Sequence, residues 1–259
     1  MRSIYKKLIT LVVNGWSWML DYIYVSYWQV YGFFIRSSPR IYTAKSKESH
    51  SKKAPIVLIP GIYENWRFMK PIADTLHSKG HPIHVISSLG YNVGDVEKMA
   101  AIVEEYIAGN KLKNPIVVAH SKGGLIGKYL LANYPNTYIR GMIALNSPFA
   151  GSRYASLIPL KSVRIFLPSS PVLALLASNT LINTKIVSIF GIFDPHIPEG
   201  SFLEGAKNIQ LKTRGHFKIM RDPKVHKALL KSISFLETST ESRDPIVNDS
   251  RHYPTSSIH

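Results

Sequence analysis

Apolar and polar positions in this chain follow two different patterns. From Ala54 onward, short apolar runs recur near 55–59, 82–87, 115–119, 141–145, 185–190 and 208–212, separated by longer amphipathic stretches. Apolar runs of this length bounded by turn residues read as buried strands. Their alternation with helical stretches predicts an α/β fold, a mostly parallel central sheet flanked by helices. One such helix begins at Trp66 and ends near Gly80; another spans Asp95 to Ile107, with Asp95 as N-cap and an apolar face of Val96, Met99, Ala100, Val103 and Ile107. Before Ala54 the pattern changes. Leu8 to Ile35 is a long apolar and aromatic run, interrupted by Asn14, Asp21 and Gln29. Wound as a helix at about 100° per residue, Asn14, Ser17, Asp21 and Gln29 share one narrow face, with tryptophans and tyrosines spread widely around the rest. After Glu237 the chain is polar and aperiodic, as expected of a flexible tail. The organisation that follows is a hydrophobic, basic segment over 1–53, an α/β domain over 54–237 and a polar tail over 238–259.

The leading reading of the N-terminal run is a retained, membrane-associated helix. Tryptophan and tyrosine favour the headgroup region, and the run could cross the ~30 Å hydrocarbon core as continuous helix. Asp21 near its middle argues against a simple lipid-exposed span. A helix packed on the protein or a partner comes second. A cleaved signal comes third, because Arg2, Lys6 and Lys7 precede the run but no small-x-small cleavage site follows; secretion is kept as an alternative. Basic residues flank both ends, so the side of the membrane is undetermined.

Charge sharpens this picture. The chain carries a formal +16, and residues 1–53 hold nine Lys or Arg against two acids. An anionic membrane surface is the simplest partner. No nucleic-acid motif accompanies the charge, so no specific nucleic-acid partner is expected. The 259 residues, 45% of them hydrophobic, suffice for a sizeable core. Zero cysteines exclude thiol chemistry and disulfides. No metal-ligand cluster, phosphate-binding loop or dinucleotide fingerprint is visible, and no cofactor is expected.

The candidate chemistry centres on Ser121. Pro115 to Ala119 is an apolar strand that stops at His120-Ser121 and restarts as the helix Lys122-Gly123-Gly124-Leu125. A hydroxyl on a sharp strand-to-helix turn projects above the sheet, and the N–H of Lys122 lies where an oxyanion would develop. Ala119 and Gly123 relieve crowding across the turn, while Gly124 and Gly127 permit close packing of helix on sheet. This elbow geometry calls for an acid and then a histidine further along the chain. Asp194, Glu199 and Glu204 are the carboxylates between Ser121 and His216. Asp194 follows the strand 185–193 directly and should share the rim with Ser121; the two glutamates sit further out and should be solvated. His216 stands in a glycine-led loop at a strand end. His120 is expected to pack and hydrogen-bond within the elbow. A second oxyanion donor should come from the loop after the first strand, where Pro60-Gly61 precedes Ile62.

Residues 147–183 are longer than a crossover needs and rich in leucine, punctuated by Pro159, Pro168 and Pro171. They predict a cap of short helices over the site. An apolar cap favours acyl chains over charged metabolites. The same side chains could instead complete the core.

Taken together, Pro60-Gly61, His120 to Gly124, Asn146 to Ser152, Phe193 to Pro198 and Gly215-His216-Phe217 resemble the α/β-hydrolase superfamily, lipase and carboxylesterase group, over about residues 54–237. The resemblance implies an α/β-hydrolase fold, a Ser121, Asp194, His216 triad and an oxyanion hole from the N–H groups of Ile62 and Lys122. It further implies hydrolysis of an apolar or lipid ester through an acyl-enzyme. Many lipases carry histidine where this chain has Pro60. Acyl transfer to an alcohol, or a noncatalytic membrane scaffold with the same fold, are the alternatives. Haloalkane dehalogenase or epoxide hydrolase chemistry would require an acid where Ser121 stands.

Overall fold

The computed structural model describes residues 2–34, 42, 53–135 and 138–241. Six strands, β1 (Ile56–Ile59), β2 (Ile83–Val85), β3 (Ile116–His120), β4 (Gly141–Leu145), β5 (Ile186–Phe193) and β6 (Lys207–Arg214), form one sheet in the order β2-β1-β3-β4-β5-β6. Every neighbouring pair is parallel. The helices with both ends among the described residues are α1 (Arg2–Phe34), α2 (Lys70–Ser78), α3 (Val96–Gly109), α4 (Lys122–Asn133), α5 (Pro171–Ser178) and α6 (Pro223–Glu241).

The central strands β1, β3 and β4 are buried along their whole length. Alternate side chains therefore feed two cores. Ile56, Leu58, Ile116 and Val118 meet Ile72 and Leu76 of α2 and Leu229, Ile233 and Leu236 of α6. Val57, Ile59, Val117 and Ala119 meet Val103 and Ile107 of α3 and Leu125, Ile126 and Leu130 of α4. Because all strands run the same way, the loops after β1, β3, β4, β5 and β6 emerge on one rim, carrying Ile62, Ser121, Asn146, Asp194 and His216.

Local details depart from expectation. The helix expected from Trp66 starts as a 3₁₀ turn over Trp66–Met69, capped by Asn65, and becomes α2 only where Pro71 can occupy its first turn. Asp95 stands at the N-cap of α3 but its side chain makes no capping bond. The helix α6 continues to Glu241, so 238–241 are helical rather than tail; the rest of the expected tail, and nearly all of the expected linker before Ala54, lie outside the described residues.

Between β4 and β5, residues 147–183 form 3₁₀ turns at Arg153–Leu157 and Arg164–Phe166, then α5, then a turn beginning at Leu181. Its apolar side chains divide. Phe166, Leu173 and Leu176 join the core beside α4, whereas Leu157, Ile158 and Leu160 are exposed.

The N-terminal helix is amphipathic in an inverted sense. Ser17, Asp21 and Trp28 are buried against the domain, with Tyr24 and Val25 packed on its core. Tyr5, Ile9, Val12, Trp16, Met19, Ile23, Tyr27 and Val30 fall on the opposite face and are all exposed. Helical periodicity alone generates this division, since successive exposed members are three or four residues apart and the buried Ser17, Asp21 and Trp28 are one or two turns apart.

Candidate active site

Ser121 occupies the turn between β3 and α4 with φ 50° and ψ −120°. A side chain other than glycine in this conformation carries strain of about 1–3 kcal/mol and persists only where the surroundings impose it. They do so here. The Ser121 N–H donates to Leu145 O at 2.9 Å, and the Gly124 N–H donates to Ser121 O at 3.0 Å. A Cβ on Gly123 would stand 2.3 Å from Ile59 O, and one on Gly124 would stand 2.0 Å from Ser147 Oγ. The turn thus closes tightly enough that only glycine fits after Lys122.

His216 Nε2 lies 3.0 Å from Ser121 Oγ, and His216 Nδ1 lies 2.7 Å from Asp194 Oδ2. A carboxylate only accepts, so these partners place the proton on Nδ1 and leave Nε2 free to take the serine proton. The other Asp194 oxygen accepts the N–H groups of His196 at 2.8 Å and Ile197 at 3.1 Å. Burial alone would lower the His216 pKa and raise that of Asp194. The Coulombic attraction and hydrogen bond between them prevail, holding His216 above its ordinary value and Asp194 below its own. The neighbouring His196 ring, 5.0 Å from His216, is pushed down to about 4, chiefly by burial, and is neutral at pH 7. Glu204 is exposed as expected. Glu199 is not simply solvated: it accepts from the backbone and side chain of Arg153, at 3.2 and 2.7 Å.

Ile62 lies in the loop after β1, and Lys122 directly follows the serine. The amides flanking Ile62 are engaged, Gly61 N–H with Glu64 Oε2 and Tyr63 N–H with Tyr91 O, both at 2.7 Å. Ile62 itself lines the cavity above Ser121. Lys122 opens α4, so its N–H has no partner one turn back within the helix. Its side chain turns into the scaffold and donates to the carbonyls of Asn92, at 2.7 Å, and Gly94. Asn92 in turn donates to Pro60 O at 2.6 Å, tying the elbow to the loop after β1. Burial lowers the Lys122 ammonium to about 8, against a smaller opposing pull from Asp95.

Four buried side chains that the sequence did not identify as parts of the site hold the histidine loop. His120 donates from Nε2 to His216 O at 3.0 Å, and its Nδ1 is hydrogen-bonded to Glu64 Oε2 at 2.8 Å. Asn146 donates from Nδ2 to Gly215 O at 3.0 Å. Asp21 of α1 accepts the N–H of His216 at 2.7 Å. The available signals were faint. His120 and Asn146 lay within the resembling segments, Asp21 stood out only as an acid inside an apolar run, and Glu64 had no distinguishing context.

Above these groups opens a cavity of about 1230 Å³. Ser121, Asp194 and His216 line it together with Leu11, Trp18, Tyr22 and Val25 of α1 and Leu157, Ile158, Leu160 and Val163 of the cap. Its walls are dominated by apolar side chains, and of its polar lining His216 and Asp194 form the hydrogen-bonded series that ends at the serine. Among the described residues no group of three or more histidines and acids is arranged to hold a metal ion.

A family model described as alpha/beta hydrolase fold matches residues 54–166. No curated protein matches the sequence. Among solved structures, the monoacylglycerol lipase of Paleococcus ferrophilus is similar at 17% identity and a TM-score of 0.51, over 72% of this chain and 96% of that one. The mature lipase of Bacillus licheniformis is similar at 16% identity and 0.54, over 70% and 92%. An alpha/beta hydrolase enzyme from the metagenome of Mar Chica lagoon sediments in Morocco is similar at 18% and 0.53, over 73% and 93%. At these identities the likeness is one of fold.

Proposed function

We propose that this chain, of which residues 54–166 match a family model described as alpha/beta hydrolase fold, is a serine hydrolase that cleaves carboxylic esters of apolar acyl groups at a membrane surface. The observation that carries the reading is the hydrogen-bonded series Ser121 Oγ, His216 Nε2, His216 Nδ1, Asp194 Oδ2 on the floor of an apolar cavity. Ser121 Oγ attacks the acyl carbon while its proton passes to His216 Nε2, and Asp194 stabilises the resulting imidazolium. The carbonyl oxygen, now negative, is received by the N–H groups of Ile62 and Lys122. As the tetrahedral intermediate collapses, the ester C–O bond breaks and His216 protonates the departing alkoxide. Water, deprotonated by His216, then releases the acid from Ser121. The mechanism requires no cofactor.

Apolar walls on both the cap and α1 support an acyl chain as the ligand, because they desolvate it and offer few polar partners. The exposed face of α1 supports the membrane as partner. Leu8–Val30 is long and apolar enough to cross a bilayer. Its contacts with the domain, however, extend from Asn14 to Gln29, and a crossing would drag the domain into hydrocarbon. The helix therefore suits the interfacial plane, its apolar face in lipid and its polar stripe on the protein. The surplus of basic residues favours anionic lipid.

Hydrolysis of p-nitrophenyl esters across acyl lengths, with Ser121→Ala alongside and a fluorophosphonate probe reporting the nucleophile, tests the chemistry. Activity and labelling that disappear together in Ser121→Ala are expected. Folded wild-type protein with neither signal would refute the reading, and labelling with turnover only on added alcohol would replace hydrolysis by acyl transfer. Co-flotation with phosphatidylglycerol vesicles, lost in Ile23→Glu while soluble-ester turnover persists, tests the membrane face.

A further inference from the structure

Asp21 has no part in the reaction above, yet it is the most heavily committed side chain of α1. It is fully buried, and its two oxygens accept three successive backbone N–H groups, those of His216 at 2.7 Å, Phe217 at 2.9 Å and Lys218 at 2.8 Å. Burying a carboxylate is costly unless hydrogen bonds replace its water, and three amides converging on one anion do so. The bonds span 195 to 197 residues of sequence, so no local preference for a turn explains them.

The surrounding groups are arranged to admit the carboxylate. Gly215 has φ +108°, and a Cβ there would stand 2.7 Å from Asp21 Oδ1. On either side, Ser17 Oγ accepts from Lys218 Nζ at 2.8 Å and Asn14 accepts from Arg214. The opposite side of the same peptide segment is held by His120 and Asn146 through its carbonyls. The His216 backbone is thus clamped, its N–H by α1 and its C=O by the sheet.

We propose that Asp21 is a positioning residue for His216, so that α1 acts on the site through this one carboxylate and the three amides it accepts. The inference rests on the assignment of His216 as the base of Ser121. Its effect is geometric and electrostatic. Geometrically, release of the 216–218 amides lets the imidazole drift from Ser121 Oγ. Electrostatically, His216 is faced by Asp194 and His196 from the loop after β5, His120 from β3, Glu64 from the loop after β1, Lys218 from its own loop and Asp21 from α1. Burial pulls its pKa down, while Asp194 first, then Asp21 and Glu64, pull it up.

The test uses the full chain with Asp21→Asn and Asp21→Glu, Ser17→Ala as a loosened-helix control, and Ser121→Ala. Initial rates on a soluble p-nitrophenyl ester are measured across pH, below the melting temperature of each variant. Asp21→Asn is expected to lower kcat about tenfold to a hundredfold with KM nearly unchanged. Its acid limb in kcat/KM should move to lower pH, because a charge that favours imidazolium is gone. Asp21→Glu keeps the charge and shifts the carboxylate by one methylene; it should fold, lose kcat to a smaller extent and retain the wild-type limb. Ser17→Ala should retain wild-type kcat. Folded Asp21→Asn and Asp21→Glu proteins with wild-type kcat and pH profile would overturn the proposal, as would an equal kcat loss in Ser17→Ala. If Asp21→Asn does not fold, wild-type kcat in Asp21→Glu is enough to overturn it. Should Ser121→Ala remain active and labelled, the underlying hydrolase reading fails instead, and the two failures are distinguishable.

Discussion

The serine and histidine sides of the site are built in opposite ways. Ser121 is placed by thirteen contiguous residues, Pro115 to Gly127, a strand and a helix that meet at one strained turn. His216 sits beyond an edge strand with mixed polar character, and its loop is held by Asp21, His120 and Asn146, residues 70 to 195 positions away. The difference teaches where precision comes from. The proposed nucleophile stands on a strained turn, and local chain geometry stores strain well. A base must be able to receive and return a proton, and its orientation is set by hydrogen bonds from several elements, each satisfied only when the whole domain has assembled.

The largest expected effect joins the two sides. Asp194→Asn leaves the elbow intact but removes the carboxylate that orients His216, and should lower kcat by roughly 10³- to 10⁴-fold in steady-state assays on the same ester. A separate break on the serine side should act through stability. Gly123→Ala puts a methyl against the Ile59 and Pro60 carbonyls, which are backbone and cannot rotate away; denaturant melts should show a loss of about 3 kcal/mol, with labelling lost in proportion to unfolding. On the histidine side, Glu64→Gln keeps the shape but replaces the carboxylate that meets His120 Nδ1 and the Gly61 N–H with a neutral amide. It should cost about 1–2 kcal/mol in the same melts, while the folded fraction still labels and turns over more slowly. The smallest effect is a displacement along the pH axis. As the proposed base, His216 would have to be neutral to act, and its pKa is raised, so the acid limb of kcat/KM should lie above the ordinary imidazole value. A limb below it would show that burial outweighs the carboxylates.

Legibility followed the same divide. The strands β1, β3 and β4 were readable because a parallel strand buried on both faces must be apolar at every position. The glycines after Ser121 were readable because a tight turn excludes any Cβ. The partition of the cap was not, since leucine serves equally in a core and in a cavity wall. Glu64 was invisible for a different reason: a single acid in a loop has the same local context whether it faces water or, as here, a buried histidine.

The N-terminal helix shows the division most clearly. The sequence by itself determined that α1 would be amphipathic, with Asn14, Ser17, Asp21 and Gln29 along one stripe, because helical periodicity follows from backbone geometry alone. Only the tertiary structure decided that this stripe faces inward, with Asp21 on the amides of His216 to Lys218 and the apolar face turned out. Periodicity defines the two faces of a helix but not their environment. That choice depends on which distant donors can satisfy a buried carboxylate, and those donors come together only when β6 and α1 are in place.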